Sequence, residues 1–214
     1  VATCAGPGGS SSNSVTVTVS APSAPTAAIS ANPNPVSYGA TTIITWSSTN
    51  ATSCTVSPGA GTGTSGTMTT GALTTNTTYT ATCTGPGGSS TDSVTVTIPP
   101  PPTNPVHTCN ASGTAATLSW TPAAGYNTFY LRTRGNPSSV IFYDDNNYTS
   151  STFTMSPIVP GATYNWWVHS KDPNGAYSAS IGETFSCAAP LPTVTISANP
   201  NPVSYGATTI ITWS

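Results

Sequence analysis

Charge is what this sequence has least of. Only 4% of its 214 residues are Asp, Glu, Lys or Arg, against about 25% in an ordinary globular chain. The three basic residues, Arg132, Arg134 and Lys171, are too few for the clustered positive surface that nucleic acid or an anionic membrane requires. A net charge of -2 and a pI near 5.3 argue the same way. No run approaches the roughly 18 apolar residues of a membrane-spanning helix. The chain has two histidines, His107 and His169, in separate runs. It has no Gly-x-Ser-x-Gly elbow and neither a Cys-x-x-Cys nor a paired-His spacing for zinc. These absences predict no catalytic residue, no metal site and no cofactor. The expectation is a protein that is not an enzyme.

What the chain does have is hydrophobic residues, 36% of the total, alternating along short runs whose polar positions are Ser, Thr, Asn and Gly. Such a near-neutral surface favours self-association unless something covers it. Lateral packing or glycosylation is therefore expected.

The pattern repeats. Nineteen residues from Ile29 to Ser47 return unchanged from Ile196 to Ser214, and residues 1–20 closely match 80–99. The second offset is 79 (Cys83 minus Cys4) and the first is 167 (Ile196 minus Ile29), so 88 residues of a different kind are intercalated. The simplest division is the C-terminal part of one domain at 1–20, a whole domain at 25–99, a different domain at 102–189, and the N-terminal part of a further domain at 192–214. Pro-rich joints at 21–25, 99–102 and 190–192 mark the seams as semi-rigid spacers. The two end pieces, 20 and 23 residues long, fall about 32 short of the 75-residue unit. No initiating Met, signal peptide or anchor is visible, and the expectation is a window of a longer tandem array.

Within 25–99 everything reads as strand. Thr41 to Trp46 and Ser93 to Ile98 are rich in β-branched residues, and the second run puts Val94, Val96 and Ile98 on one face with Thr95 and Thr97 towards water. Turn signals stand between the runs at 32–35, 57–59 and 85–88. Gly85-Pro86-Gly87-Gly88 lacks a following Lys and helix, so it reads as a hairpin turn and not as a phosphate loop. Short strands at this spacing predict a sandwich or small barrel.

The run from Trp46 to Cys54, followed by Thr78-Tyr-Thr-Ala-Thr-Cys83, the Gly-Pro-Gly-Gly turn and a closing Val-Thr-Val run, resembles the immunoglobulin-like repeats of bacterial surface proteins. In 102–189, Thr117-Leu-Ser-Trp-Thr-Pro122, Phe129-Tyr-Leu-Arg132 and Ile158-Val-Pro-Gly-Ala-Thr-Tyr164 closely resemble the fibronectin type III module. That resemblance implies Trp120 on the second strand and Tyr164 at the corner before the sixth. The fold class expected is all-β, with tandem immunoglobulin-like and fibronectin type III β-sandwiches.

The five cysteines fit this division. The immunoglobulin resemblance implies Cys54 bonded to Cys83, joining the third and sixth strands of one sheet instead of the second and sixth of an antibody domain. Cys109 with Cys187 would staple the first and last strands of the next domain. Cys4, the counterpart of Cys83, is left unpaired by truncation. Disulfides imply an oxidising compartment, hence an extracellular or cell-surface location.

The remaining motifs are weaker. Asp144-Asp145-Asn146-Asn147 lacks the spacing of a calcium loop and reads as a solvated loop, and Lys171 to Gly175 reads as a hairpin turn. Asn-x-Ser/Thr sequons at Asn50, Asn76, Asn110 and Asn147 are candidates for glycosylation. With Phe129 and Leu131 inward, Tyr130 and Arg132 face outward beside Trp167. This is either an interface or sugar-stacking patch or a local pair of Arg132 over Trp167. The function expected is a structural repeat of an extracellular filament or cell-surface stalk, with copies of itself as partners. The alternative is an adhesin or carbohydrate-binding module whose partners are glycans.

Overall fold

Short runs of Thr, Val and Ile between Gly and Pro turns favour extended backbone. The computed structural model describes residues 1–135 and 141–214, and every regular element among them is a β-strand. The chain divides into two compact units, Val1–Thr97 and Ile98–Ser214.

In the first unit, β1 (Ala2–Gly6) and β2 (Gly9–Asn13) form an exposed hairpin. Seven strands follow: β3 (Thr26–Asn32), β4 (Ile43–Thr49), β5 (Ser53–Ser57), β6 (Gly61–Thr62), β7 (Ser65–Thr69), β8 (Thr77–Gly85) and β9 (Gly88–Val96). They make two antiparallel sheets, β3-β4-β7 and β6-β5-β8-β9. The alternation of each strand decides what is buried. Ile44 and Trp46 come from the first sheet, and Val56, Tyr79, Ala81 and Val96 from the second. Trp46 spans the gap. A side chain at Gly61 or Gly66 would press on its ring at 2.9 or 2.6 Å, and its indole donates to the Gly63 carbonyl at 3.1 Å. The hairpin β8-β9 turns through Pro86-Gly87, with Gly85 paired to Gly88. Asp92 is the one charged residue of this sandwich, and its carboxylate accepts from the Ile29 amide at 2.9 Å, tying β9 to β3.

In the second unit the strands are β10 (Thr103–Cys109), β11 (Ala116–Thr121), β12 (Phe129–Arg134), β13 (Ile141–Tyr148), β14 (Thr152–Met155), β15 (Thr163–Ser170) and β16 (Ile181–Ser186). The sheets are β10-β11-β14 and β13-β12-β15-β16. Leu118, Trp120 and Met155 of the three-stranded sheet pack with Phe129, Leu131, Trp166, Val168 and Phe185 of the four-stranded one. Trp120 lies edge-on to Phe129, with ring centroids 5.4 Å apart, and tilted against Trp166 at 5.8 Å. The Tyr164 hydroxyl accepts from the Val159 amide at 2.8 Å and fixes the corner before β15. Asp144 to Asn147 lie in strand β13, correcting the expected solvated loop. Cross-strand pairing with β12 supplies the backbone partners that an isolated polar run could not signal.

The two sandwiches thus share one strand order. Their disulfides differ. Cys54 and Cys83 are cross-strand neighbours inside one sheet, whereas Cys109 closes β10 and Cys187 follows β16, so that bond joins the two sheets. Cys4 is exposed and free.

The duplicated nineteen residues form the same hairpin twice. In β17 (Ile196–Asn199) and β18 (Ile210–Trp213), Ile196 pairs with Trp213, just as Ile29 pairs with Trp46. Thr209 donates to the Pro200 carbonyl as Thr42 does to that of Pro33. The surroundings differ: Trp46 is 4% exposed and Trp213 75%, Ile44 0% and Ile211 46%.

Candidate functional site

Strict alternation along β12 and β15 sorts their side chains into two sets. Phe129, Leu131, Thr133, Tyr164, Trp166, Val168 and Ser170 are buried. Tyr130, Arg132, Arg134, Asn165, Trp167 and His169 occupy the intervening positions and are half-buried on the outer face. Register pairs Tyr130 with His169, Arg132 with Trp167 and Arg134 with Asn165. Tyr130, Arg132 and Trp167 do share one face.

Arg132 does not lie over Trp167. Its Nε and Nη2 donate to Asp144 Oδ2 at 3.0 and 2.6 Å, and its guanidinium sits 5.2 Å from the Tyr130 ring. The reason is β13. With Asp144 in a strand and paired to Arg132, a carboxylate lies beside the guanidinium, and a charge-assisted bond outweighs a cation–π contact. The ring of Trp167 is covered instead by Arg134, 5.3 Å away. Arg134 continues the period-two pattern one step past Arg132. Extending the alternation by two residues would have found it.

The third cation follows the same rule. Lys171 Nζ sits 5.7 Å from the Tyr177 ring and donates to the Asn146 carbonyl and Asn147 Oδ1 at 2.9 and 2.7 Å. Each of the three basic residues of the chain therefore rests against an aromatic ring of this one domain. Tyr130 stacks on His169 at 5.5 Å and touches Tyr177 at 5.7 Å. The turn 172–175 is held by Asp172, whose Oδ1 accepts from the Ala176 amide at 2.6 Å.

Burial and local partners move the protonation equilibria. Tyr130 is raised above the usual phenol range, first by desolvation and then by its bond to Asp144. Hydrogen bonding to Asp144 holds Arg132 more firmly charged. Burial also raises Tyr143, which donates to Asp145. His169 is lowered, chiefly by burial, and Arg132 adds to the effect, while the bond from its Nδ1 to the Ser178 carbonyl opposes it. A neutral His169 under the Tyr130 ring follows.

A groove of about 730 Å³ opens beside Trp167, lined by Pro105, Arg134, Asn165, Gly182, Glu183 and Thr184 among others. Gly182 is the cross-strand partner of Trp167, and a side chain there would strike the Trp166 carbonyl. Glu183 is engaged by His107, Nδ1 to Oε2 at 2.7 Å, and His107 stacks on Phe185. Among the described residues, Arg134 Nε is buried without a hydrogen-bond partner.

The four sequon asparagines, Asn50, Asn76, Asn110 and Asn147, are all exposed. Asn110 caps its own turn by accepting from the Thr114 and Ala115 amides. Among the described residues no group of three or more His, Cys, Asp and Glu could hold a metal, and no helix is long and apolar enough to cross a membrane.

No family model matches the chain, and no curated protein matches it. Several solved structures are similar to part of it. The FN5 domain of Drosophila Lar is 13% identical, over 43% of this chain and 99% of its own, with a TM-score of 0.34. An Fn3-like protein from Clostridium thermocellum is 24% identical over 41% and 92%, at 0.34. The fn3 domain of human collagen alpha-1(XX) chain is 20% identical over 45% and 91%, at 0.36. The fold itself rests on strand order and register: the protein is all-β, built from sandwiches of the immunoglobulin-like and fibronectin type III-like plan.

Proposed function

We propose that the protein is a structural repeat of an extracellular filament or cell-surface stalk. Residues 25–99 and 102–189 are its consecutive beads, and 1–20 and 192–214 belong to further immunoglobulin-like beads. The observation that carries this is the reuse of one plan. A single strand order is built twice, and one hairpin is written twice, residue for residue. Two disulfides suit an oxidising exterior, and a surface almost free of charge offers little repulsion between copies. The expected partners are copies of the same chain. Negative-stain microscopy of the purified, oxidised chain tests it: long uniform fibres are expected, and dispersed short rods at all protein concentrations would reject it.

A second reading, an adhesive module that binds glycans, is favoured by one feature. All three cations of the chain lie against aromatic rings of the 102–189 domain. Such half-buried aromatic and Arg side chains are the usual anchors of an interface. Screening the full chain against a glycan array, with Trp167→Ala beside it, tests this reading. Binding that vanishes in the variant supports it, and no binding by the parent chain rejects it.

A further inference from the structure

We propose that the groove beside Trp167 is a binding site for a saccharide carrying a carboxylate, of the uronic acid class. The inference rests on the second reading, that the domain is a glycan-binding module, and goes further by assigning the site, its ligand charge and the residue that selects it.

The three cations on the face are not equivalent. Arg132 is neutralised by two hydrogen bonds to Asp144. Lys171 gives its ammonium to the Asn146 carbonyl and Asn147 Oδ1. Arg134 is placed differently: among the described residues its guanidinium lies against the Trp167 ring, and its Nε finds no acceptor. A guanidinium held in a groove whose lining acid is engaged by another residue is a ready partner for an anionic ligand, because a charge-assisted bond formed in a partly desolvated site is stronger than one formed in water. The acid that lines the same groove, Glu183, faces His107 at 2.7 Å.

The rest of the lining points to a sugar ring. Trp167 lines the groove; Arg134 sits over one face of its half-buried indole, so the C–H face of a pyranose would lie on the other. Gly182, directly across from Trp167, also lines the groove. Asn165 accepts the Thr184 hydroxyl on its Oδ1, which leaves its amide hydrogens to donate to a ligand hydroxyl. An aromatic plane, an amide donor and a guanidinium whose Nε has no hydrogen-bond partner among the described residues match the apolar face, the hydroxyls and the carboxylate of a uronic acid.

The test is titration of the full oxidised chain with a tetragalacturonate, a neutral tetragalactose and a tetraglutamate peptide, followed by calorimetry and by Trp fluorescence. The tetragalacturonate is expected to bind at least tenfold more tightly than the neutral sugar, and to weaken as NaCl is raised. Arg134→Gln should cost tenfold or more for the acidic sugar and nothing for the neutral one. Trp167→Ala should weaken both, with unfolding midpoints confirming that each variant is folded. Equal affinity for the two sugars, or an Arg134→Gln variant that binds as the parent does, overturns the carboxylate assignment and leaves the glycan-binding reading standing. Tetraglutamate binding as tightly as tetragalacturonate overturns the saccharide assignment. Failure of the parent chain to bind either sugar overturns both.

Discussion

The sandwich between Thr26 and Val96 and the one between Thr103 and Ser186 are laid out on the same strand order, yet they hold themselves together and meet solvent differently. The first carries a single charge, Asp92, and uses it internally to tie β3 to β9. Its outer positions are Thr and Ser, whose hydroxyls bond across strands, as Thr26 does with Thr49 and Thr78 with Thr95. The second holds the other seven of the eight charged residues of the chain, with the cations set among rings on one sheet. Strand order is thus indifferent to what the outer face carries, because alternation isolates that face from the core. One domain is left plain and the other is furnished with a chemically distinct surface.

Sulfur offers the sharpest way to break the likeness. Cys54 and Cys83 close a loop across 29 residues inside one sheet, and Cys109 and Cys187 close one across 78 between two sheets. If loop-closure entropy of the unfolded chain dominates, removal of the longer bond by Cys109→Ala with Cys187→Ala costs about 4.5 kcal/mol, and removal of the shorter by Cys54→Ala with Cys83→Ala about 3.6 kcal/mol. Denaturant unfolding of the two double variants measures the order. A larger loss from the intra-sheet bond would show that the entropic account fails here.

The corner tyrosine sharpens the comparison at smaller scale. Tyr164→Phe removes the acceptor of the Val159 amide and should destabilise its domain by about 1–2 kcal/mol. Tyr79 is similarly buried in β8 but no such bond is found for it among the described residues, so Tyr79→Phe should stay within about 0.5 kcal/mol. Equal costs in thermal unfolding would contradict the corner's role. The smallest effect is with pH. His169 is a base whose folded pKa is lowered, so the unfolded chain takes up its proton first as pH falls. The stability it supports is complete above the unfolded histidine range, near 6.5, and declines as pH drops towards the folded value. The groups facing it are Arg132, Tyr130 and Tyr177. A mild loss of stability from pH 7 to 5 is expected in the second sandwich, and His169→Gln should flatten it. An unchanged slope in the variant would assign it to other groups.

Much of this was legible in the residues. Period-two alternation sorted Phe129 and Leu131 from Tyr130 and Arg132 and set the latter beside Trp167, because a strand leaves a side chain only two directions. The Gly-Pro-Gly-Gly turn and the all-β class followed from local chemistry in the same way. The partner of Arg132 was not legible. It depends on β13 lying beside β12 with irregular register between Phe129 and Leu131 and again between Thr133 and Arg134, and register between strands is a property of two segments together. For the same reason the polar run Asp144 to Asn147 carried no sign of being a strand. Its hydrogen bonds are supplied from elsewhere in the chain.

The twin hairpins β3-β4 and β17-β18 set the chain a problem of choice during folding. Being identical from Ile29 to Ser47 and from Ile196 to Ser214, they are equally able, side chain for side chain, to pair with β7 and complete the sandwich of β5 to β9. Side-chain energies therefore give no preference, and connectivity must supply it. The nearer copy is joined to β5 through a loop of residues 50–52, while the farther one would close a loop of about a hundred residues from Val96 to Ile196. Each doubling of a loop costs about 0.6 kcal/mol, so five doublings favour the nearer copy by roughly 3 kcal/mol. Covalent order, and not sequence, then selects which of two identical segments belongs to the sandwich, and it is the length of chain between the copies that makes the selection.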